Sequence, residues 1–584
     1  MEGEALGRII EHLYRGKIEK LTPSARWSEE DKEQVKGMTT YLIGGQLGTQ
    51  GEFGKILLEE AQKYLDSEIP EQKIKLLPVS RENVKTGIMG AAFFVDTRAI
   101  EKEIKDLPAP VARRAFREQL RRILNRIILI PSLIVSFIFP KPLYQKVLDK
   151  NDIGRYLVPS QKLYGHQWLW DSCFHAIVLA KFDPERAKRE IFALFDEQWE
   201  NGFVPHIRFN PGYKNYRPNA EDWATGHPTT GITQPPVIAL AALRVYQETG
   251  DKEFLRQVFP KIVQYHRWLK TSRDPLNHGL LAIVHPWESG MDNSPLWDRL
   301  RDRILRSPRF DKFVQGLNLT FRVDDKIIPS EERPRDKDYH LYWGLIEFFK
   351  SLGWNHKEMV EQSPFLVEDV AFNALWTDAN ESLAEIARIL GEEPAEFLQW
   401  SEQTREAVRE KLWDEDDGLF YDFDLKHNKK IKVKTVGAFL PLFSRVPTPE
   451  IAQRLVAHLN NEREFRAPAG VPSTSMDEEG FERSRYWRGP VWLNMHWFLI
   501  QGLRNYGYYG LANELVKKSR DLVSQSGYWE FYDPINGKGQ GVNDFSWSTL
   551  QVDMEIEKGL HEKDFINRDV VITVSYTHLT LPTN

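Results

Sequence analysis

Helix start and stop signals recur from residue 145 to about 565 with no linker between them, and they restrict this chain more than any other feature. Asp183-Pro184 sets an N-cap residue before a proline that a helix accepts at its first position. The helix they open carries Ile191, Leu194 and Phe195 on one face. A second run, Val237 to Thr249, ends at Gly250, and Asp251 is placed to cap the next one immediately. A third carries Leu383, Ile386, Ala387 and Leu390 and stops at Gly391, and others follow Pro449, Trp492 and Gly510. Few strand signals interrupt them. Helix pairs joined by short turns predict a mainly α fold closed into a toroid, with its chemistry on the loops.

The same region holds nearly all the tryptophan. Of 18 Trp, only Trp27 precedes Trp168, so the chain changes character near residue 145. Tryptophan offers a flat apolar face and one polar edge, which suits a sugar ring as well as a helical core. A net charge of -6 over 584 residues argues against a nucleic-acid partner held by phosphate neutralisation. The single cysteine, Cys173, excludes a disulfide framework and a cysteine-based zinc site. His166, His175 and His285 are dispersed without ligand spacing, so no metal is assigned and no cofactor is expected. The acidic start Met1-Glu2-Gly3-Glu4 is unlike a secretory leader, which makes the cytoplasm the expected compartment.

Ahead of that region the chain divides into three stretches. Residues 1–38 are polar, with a helix signal through Ile9–Leu13. In residues 39–100 the strand signal Thr39–Ile43 is followed by Gly44-Gly45, a helix-like run from Gly54 to Leu65, a second strand signal at Ile74–Val79 and a Gly87-Ile88-Met89-Gly90-Ala91-Ala92 helix. This order resembles the C-terminal end of the ROK family of sugar kinases. The family's Asp-x-Gly-x-Thr phosphate loop and cysteine cluster are missing, so the segment reads as an inert α/β remnant. Residues 101–144 form a basic, then apolar, helical linker. Its apolar run, Ile127 to Phe139, is interrupted by Pro131 and is shorter than the roughly 20 residues a bilayer span needs.

Chemistry is expected where loops are aromatic, polar and glycine-bearing. Trp287-Glu288-Ser289-Gly290-Met291-Asp292-Asn293-Ser294-Pro295 cannot extend as a helix or central strand, and it presents polar side chains. Asp292, between a thioether and an amide and just before a Ser-Pro turn, is expected to be held by packing; partial desolvation then raises its pKa enough for proton donation near neutrality. An Asx-turn on an exposed loop is the plain alternative. Tyr164-Gly165-His166-Gln167-Trp168-Leu169-Trp170-Asp171 surrounds a carboxylate with rings, and Thr233-Gln234-Pro235-Pro236 places an amide at a helix start. Gly527-Tyr528-Trp529-Glu530-Phe531-Tyr532-Asp533-Pro534 brackets Glu530 with four rings, which implies a cleft. Two carboxylates in aromatic clefts are what glycoside hydrolysis requires.

Four of these stretches, Gln167–Asp171, Glu288–Pro295, Tyr486-Trp487-Arg488-Gly489-Pro490-Val491-Trp492 and Glu530–Pro534, together resemble glycoside hydrolase family 63, in particular its bacterial members acting on mannosylglycerate and glucosylglycerate. The resemblance covers residues 145 to 560 and implies an (α/α)6 barrel with an inverting mechanism. It matches Asp292 to the family's general acid and Glu530 to its general base. Tyr164, Trp168, Trp170, Asp171, Trp287, Gly290, Trp487 and Trp492 fall where the family lines its sugar pocket. Gln234, Arg333, Tyr339 and Tyr486 match the positions that hold the glycerate end. Trp170 and Trp492 have barrel core as their alternative, Asp171 a helix cap, and Arg333 has a rival in Arg335. The expected partner is a small α-glucoside or α-mannoside. Rival classes are a phosphorylase or trehalase-like enzyme on the same barrel, which Glu530 disfavours, and a non-catalytic sugar-binding protein. The tail, 566–584, departs from the family pattern and reads as extraneous to the fold.

Overall fold

The computed structural model describes residues 141–317, 319 and 322–556, together with the backbone of three strands, Thr39–Tyr41, Ile74–Ser80 and Met89–Val95. The chain divides into two compact units, Met1–Pro142 and Leu143–Asn584. In the first, the three strands form one antiparallel sheet with Met89–Val95 in the middle. This corrects the helix expected over residues 87–92. Ala91-Ala92 runs straight into Phe93-Phe94-Val95, and aromatic and β-branched residues favour a pleated sheet over a helix. The helix signals at 9–13, 54–65 and 113–126, the apolar run 127–139 and the tail 566–584 lie outside the described residues.

The second unit is mainly helical. Among the described residues, Leu169–Ala180, Ile238–Thr249, Val370–Leu390, Leu440–Phe443, Leu493–Asn505 and Leu550–Ile556 pack side by side in chain order, and the last packs against the first. Between them in sequence run helices that pack against their outer faces, including Pro184–Phe195, Lys252–Arg273, Ala395–Ala407 and Tyr509–Ser526. The two layers differ in burial for a reason legible in their residues. All 12 residues of Leu169–Ala180 are buried, and its sequence is apolar on nearly every side. Pro184–Phe195 buries one stripe, Ala187, Glu190, Ile191, Ala193 and Leu194. No helix among the described residues is long and apolar enough to cross a membrane.

The caps stand where the sequence signals put them. Asp183 accepts from Arg186 N at 3.3 Å, and Asp251 accepts from Phe254 N at 3.0 Å. Gly250 and Gly391 close their helices at φ 66° and φ 81°, conformations that cost a side-chain-bearing residue free energy. Such sharp stops leave the connecting segments free to do other work. Residues 164–168, 233–236, 486–492 and 529–545 each lead into one of the inner elements.

One long outer helix reaches directly into these segments. Arg273, the last residue of Lys252–Arg273, is 1% exposed and donates from Nη2 to Glu288 Oε1 at 2.6 Å. Glu288 also accepts from Thr233 N at 3.1 Å and from Val284 N at 2.7 Å. Removing one partner of a buried ion pair leaves the other charged and unpaired, at about 3–5 kcal/mol. Glu288→Ala is expected to lower the free energy of urea unfolding by that amount, several times the ~1 kcal/mol expected for Gly250→Ala. Equal losses in the two variants would show that the pair is not an anchor.

Candidate active site

Val284 N and Thr233 N hold the Glu288 carboxylate, and the next residues turn tightly around it. Pro286–Ser289 form one turn of 3-10 helix, started by His285, whose Nδ1 accepts from Trp287 N at 3.0 Å. Burial lowers the His285 imidazole to about 3, so it is neutral and able to accept. Gly290 ends the turn at φ 73°. Ser289 Oγ donates to Pro286 O at 2.6 Å and accepts from Met291 N at 2.9 Å, while Met291 is itself packed in the core. Tyr342 Oη donates to Asp292 O at 2.9 Å. Asp292 is thus fixed at its backbone on a buried loop, and its partly exposed side chain lines a cavity.

Glu530 reaches the same cavity from a hairpin. Strand Trp529–Tyr532 pairs antiparallel with Gly539–Asn543, and the register shifts between Trp529 and Phe531. The irregularity lets Glu530 Oε2 accept from Val542 N at 3.1 Å, while Oε1 accepts from Tyr164 Oη at 2.7 Å. Glu530 lines the cavity, but not for the reason its flanking rings suggest. Of the rings flanking Glu530 none lines the cavity, and Phe531 and Tyr532 are fully buried. The cleft around Glu530 is built instead by residues from elsewhere, Tyr164 and Tyr486 among them.

Twelve of the residues singled out in the sequence, besides Glu530, line this one cavity: Tyr164, Trp168, Trp170, Asp171, Gln234, Trp287, Gly290, Asp292, Arg333, Tyr339, Tyr486 and Trp487. Trp492 does not. It lies behind Trp487 with ring centroids 3.9 Å apart and planes 1° from parallel, and its Nε1 donates to Tyr486 O at 3.2 Å. That bond supports Tyr486, which holds φ 44°, an uncommon backbone state for a bulky residue. Asp171 is not the cap of its helix, since Leu169–Ala180 begins two residues earlier. Gln234 Oε1 accepts from Trp170 N at 3.3 Å, so this amide caps the first turn on which Asp171 sits. Arg333, not Arg335, faces the cavity; Arg335 pairs with Glu482 at 2.7 Å.

Sequence reasoning missed other residues of the wall, Tyr216, Arg322, Asp324, Tyr342, Phe545 and Trp547 among them. Tyr216 carried a faint signal, in the aromatic and proline-bearing run Tyr213–Pro218. Asp324 carried none, because Arg322-Val323-Asp324-Asp325-Lys326 reads as a solvated charged loop. Asp324 is in fact buried. It accepts from Arg322 Nη2 at 3.0 Å, Arg333 Nε at 3.1 Å and Tyr339 Oη at 2.8 Å.

Four carboxyls, Asp171, Asp292, Asp324 and Glu530, therefore line one cavity; Arg333 and Arg322 hold Asp324 down to about 2, and burial raises the other three. Burial pushes Asp292 up to about 8, and the Glu530 charge adds to the effect while Arg333 opposes it. Burial also raises Asp171, and the charges of Glu530 and Asp292 add to it. Glu530 is raised by burial but opposed by Arg333, by the Tyr164 hydroxyl and by the Val542 amide. The cavity thus offers a carboxylic acid that keeps its proton near neutrality beside a carboxylate held by two donors. Among the described residues no group of three or more His, Cys, Asp or Glu side chains is placed to hold a metal ion.

Residues 164–548 match the mannosylglycerate hydrolase MGH1-like glycoside hydrolase domain. The crystal structure of a GH63 mannosylglycerate hydrolase from Thermus thermophilus, in complex with Tris and D-glycerate, superposes with a TM-score of 0.67 at 39% identity, over 71% of this chain and 100% of that one. The chain belongs to glycoside hydrolase family 63. Mannosylglycerate hydrolase of Rubrobacter radiotolerans is 40% identical over 427 residues, 70% of this chain and 95% of the relative. Glucosylglycerate hydrolase of Mycolicibacterium hassiacum is 31% identical over 434 residues, again 70% and 95%. As a family 63 member the chain is an enzyme that hydrolyses glycosidic bonds.

In this family 63 hydrolase Gly290 packs closely against the Trp170 ring in the cavity wall. A Cβ there would lie 2.4 Å from Trp170 Cη2, at a φ that side-chain-bearing residues rarely adopt. Gly290→Ala is expected to displace the Trp170 ring and the Asp292 loop together. A misplacement of about 1 Å in a reacting group costs on the order of 10²-fold in rate. Measured kcat/KM should fall by that order while the circular dichroism spectrum stays native; unchanged kinetics would mean that Trp170 and Asp292 tolerate displacement.

Proposed function

We propose that this hydrolase cleaves an α-linked mannoside or glucoside of glycerate by a single displacement, with Asp292 as general acid and Glu530 as general base. The observation that carries the reading is the pairing of a carboxyl that holds its proton to about pH 8 with a carboxylate fixed by Tyr164 and Val542, in one cavity. Glu530 takes a proton from water as the water oxygen attacks the anomeric carbon. Asp292 gives its proton to the glycosidic oxygen as that bond breaks, and glycerate departs. The faces of Trp168, Trp170, Trp287 and Trp487 suit the C–H faces of the sugar, and Asp171 accepts from its hydroxyls.

A carboxylate-bearing aglycone fits the other part of the cavity. Arg333 Nη1 is buried there without a hydrogen-bond partner, beside Gln234, Tyr339 and Tyr486. Its nearest anion, Glu530, stays beyond hydrogen-bond distance at 3.6 Å, and a substrate carboxylate supplies the missing acceptor in charge-assisted form. The names of the two hydrolase relatives and the D-glycerate in the Thermus structure agree with that assignment. We also read the ring of inner elements and its outer helices as an (α/α)6 barrel, with the site on loops leading into the inner layer.

Asp292→Asn and Glu530→Gln are each expected to lower turnover by about 10²–10⁴ without unfolding the protein. Near-normal activity in either would remove that residue from its role. In the wild type, kcat/KM should fall as pH rises through about 8, where Asp292 loses the proton it must donate. It should also fall on the acid side as Glu530 gains one, above the ordinary glutamate range. A profile flat between pH 7 and 9 would contradict the acid assignment.

Stereochemistry separates one displacement from two. Inversion of an α-glycoside releases the β-anomer first, detectable by proton NMR before mutarotation. An initial α-anomer would make Glu530 a nucleophile or exclude it from the reaction. Hydrolysis of glucosylglycerate and mannosylglycerate in parallel, with trehalose as the neutral control, decides the sugar and the need for a carboxylate.

A further inference from the structure

Arg333 is drawn toward two carboxylates at once. Its Nε donates to Asp324 Oδ2 at 3.1 Å, while its Nη1 stops 3.6 Å from Glu530 Oε1, beyond hydrogen-bond distance. The guanidinium lies over the Tyr486 ring, 4.4 Å from its centroid. Asp324 is in turn overdetermined. Besides Arg333, its carboxylate takes the Tyr339 hydroxyl at 2.8 Å and two nitrogens of Arg322, at 3.2 Å to Oδ1 and 3.0 Å to Oδ2. Arg322 is itself held by Pro334 O at 3.0 Å and by Asp336. The position of Asp324 therefore does not depend on Arg333, whereas the position of Arg333 depends on Asp324.

We propose that Asp324 is a positioning residue that holds the Arg333 guanidinium off the catalytic base, leaving Glu530 free to take a proton from water and Arg333 Nη1 free for an acceptor on the substrate. The inference rests on the assignment of Glu530 as base made above. Without the Asp324 charge, the ion-pair partner left to Arg333 is Glu530, and a small side-chain shift shortens their 3.6 Å ion pair to a direct charge-assisted hydrogen bond. A paired Glu530 is a weaker base, because an opposite charge in contact stabilises its deprotonated form. Asp324 also orders Tyr339 through the same Oδ2, so one carboxylate sets two of the groups at the aglycone end.

The sign of the effect is set by that geometry. A cation moving into contact with a carboxylate lowers its pKa, so the acid limb of the pH profile of kcat/KM moves to lower pH and the plateau falls. Asp324→Asn keeps the shape of the side chain and removes its charge. The expected result is an acid limb displaced downward by on the order of 1 pH unit, with a lower plateau and a higher KM for the glycerate-bearing substrate. Loss of the Asp324 charge acts on Glu530 through space as well, and a second background separates the two routes. In Arg333→Gln, where no guanidinium can move, only the through-space part remains, so Asp324→Asn should shift the acid limb clearly less than it does with Arg333 present.

An acid limb unmoved by Asp324→Asn, or moved equally in both backgrounds, overturns the proposal. If Asp324→Asn does not fold, Arg333→Lys is the alternative probe. It retains the charge, lacks the Nε–H that Asp324 holds, and should bring the acid limb down in the same direction; an unmoved limb there also overturns the proposal. Glu530→Gln run alongside distinguishes the two levels. If it stays active, the base assignment has failed; if it is inactive and the limb is fixed, only the role of Asp324 has failed.

Discussion

Glu288 gives up all contact with water to hold three segments together. Its two oxygens take Arg273 from the end of an outer helix, Thr233 N from a loop leading into an inner one, and Val284 N from its own loop. In a low-dielectric interior an unpaired ion costs several kcal/mol, so none of the three can drift without exposing the others to that cost. The rest of the site hangs from this point. Asp292 lies four residues on. Gln234, next to Thr233, takes Trp170 N and so fixes the first turn that carries Trp170 and Asp171. Asp292, Trp170, Asp171 and Gln234 thereby inherit their spacing from a carboxylate that does not line the cavity.

Within the cavity the same physical agent acts on every carboxyl, and local donors make the difference. Desolvation raises Asp171, Asp292 and Glu530 alike. Glu530 has a phenol, a backbone amide and a nearby guanidinium to favour its ionised form. Asp292 feels Arg333 but accepts no comparable pair of side-chain and strand donors, so it retains its proton. Two groups of the same chemical kind are given different proton affinities by what donates to them.

Much of the architecture was legible because it is local. Caps such as Asp183, Gly250 and Asp251 act within one turn, so their sequence neighbours suffice to find them. The loop around Asp292 was legible for the same reason, since Gly, Ser and Pro dictate a turn wherever they stand. What failed depended on contacts distant in sequence or on which face a side chain occupies. Trp492 and Trp487 belong to one aromatic motif, yet one lines the cavity and the other supports it from behind. The burial of Asp324 is made by Arg322, Arg333 and Tyr339 folding around it, and the run of charges alone suggests a solvated loop. Met89–Val95 turned on whether Ala91-Ala92 belonged with the glycine before it or the aromatics after it.

Tyr164 and Glu530 are 366 residues apart and meet at 2.7 Å. Chain growth on a ribosome runs at about 5–20 residues per second, so roughly 20–70 s separate the emergence of the two. For that interval the nascent chain carries Trp168 and Trp170, and later the Asp292 loop, without the hairpin that delivers Glu530. The contacts that join the hairpin to the start of the helical unit come from the stretch just after it, where Asn151 donates to Asp544 O and Ser546 Oγ, both at 2.8 Å. The hairpin that carries Glu530 thus arrives together with the seam that joins the last inner helix to the first.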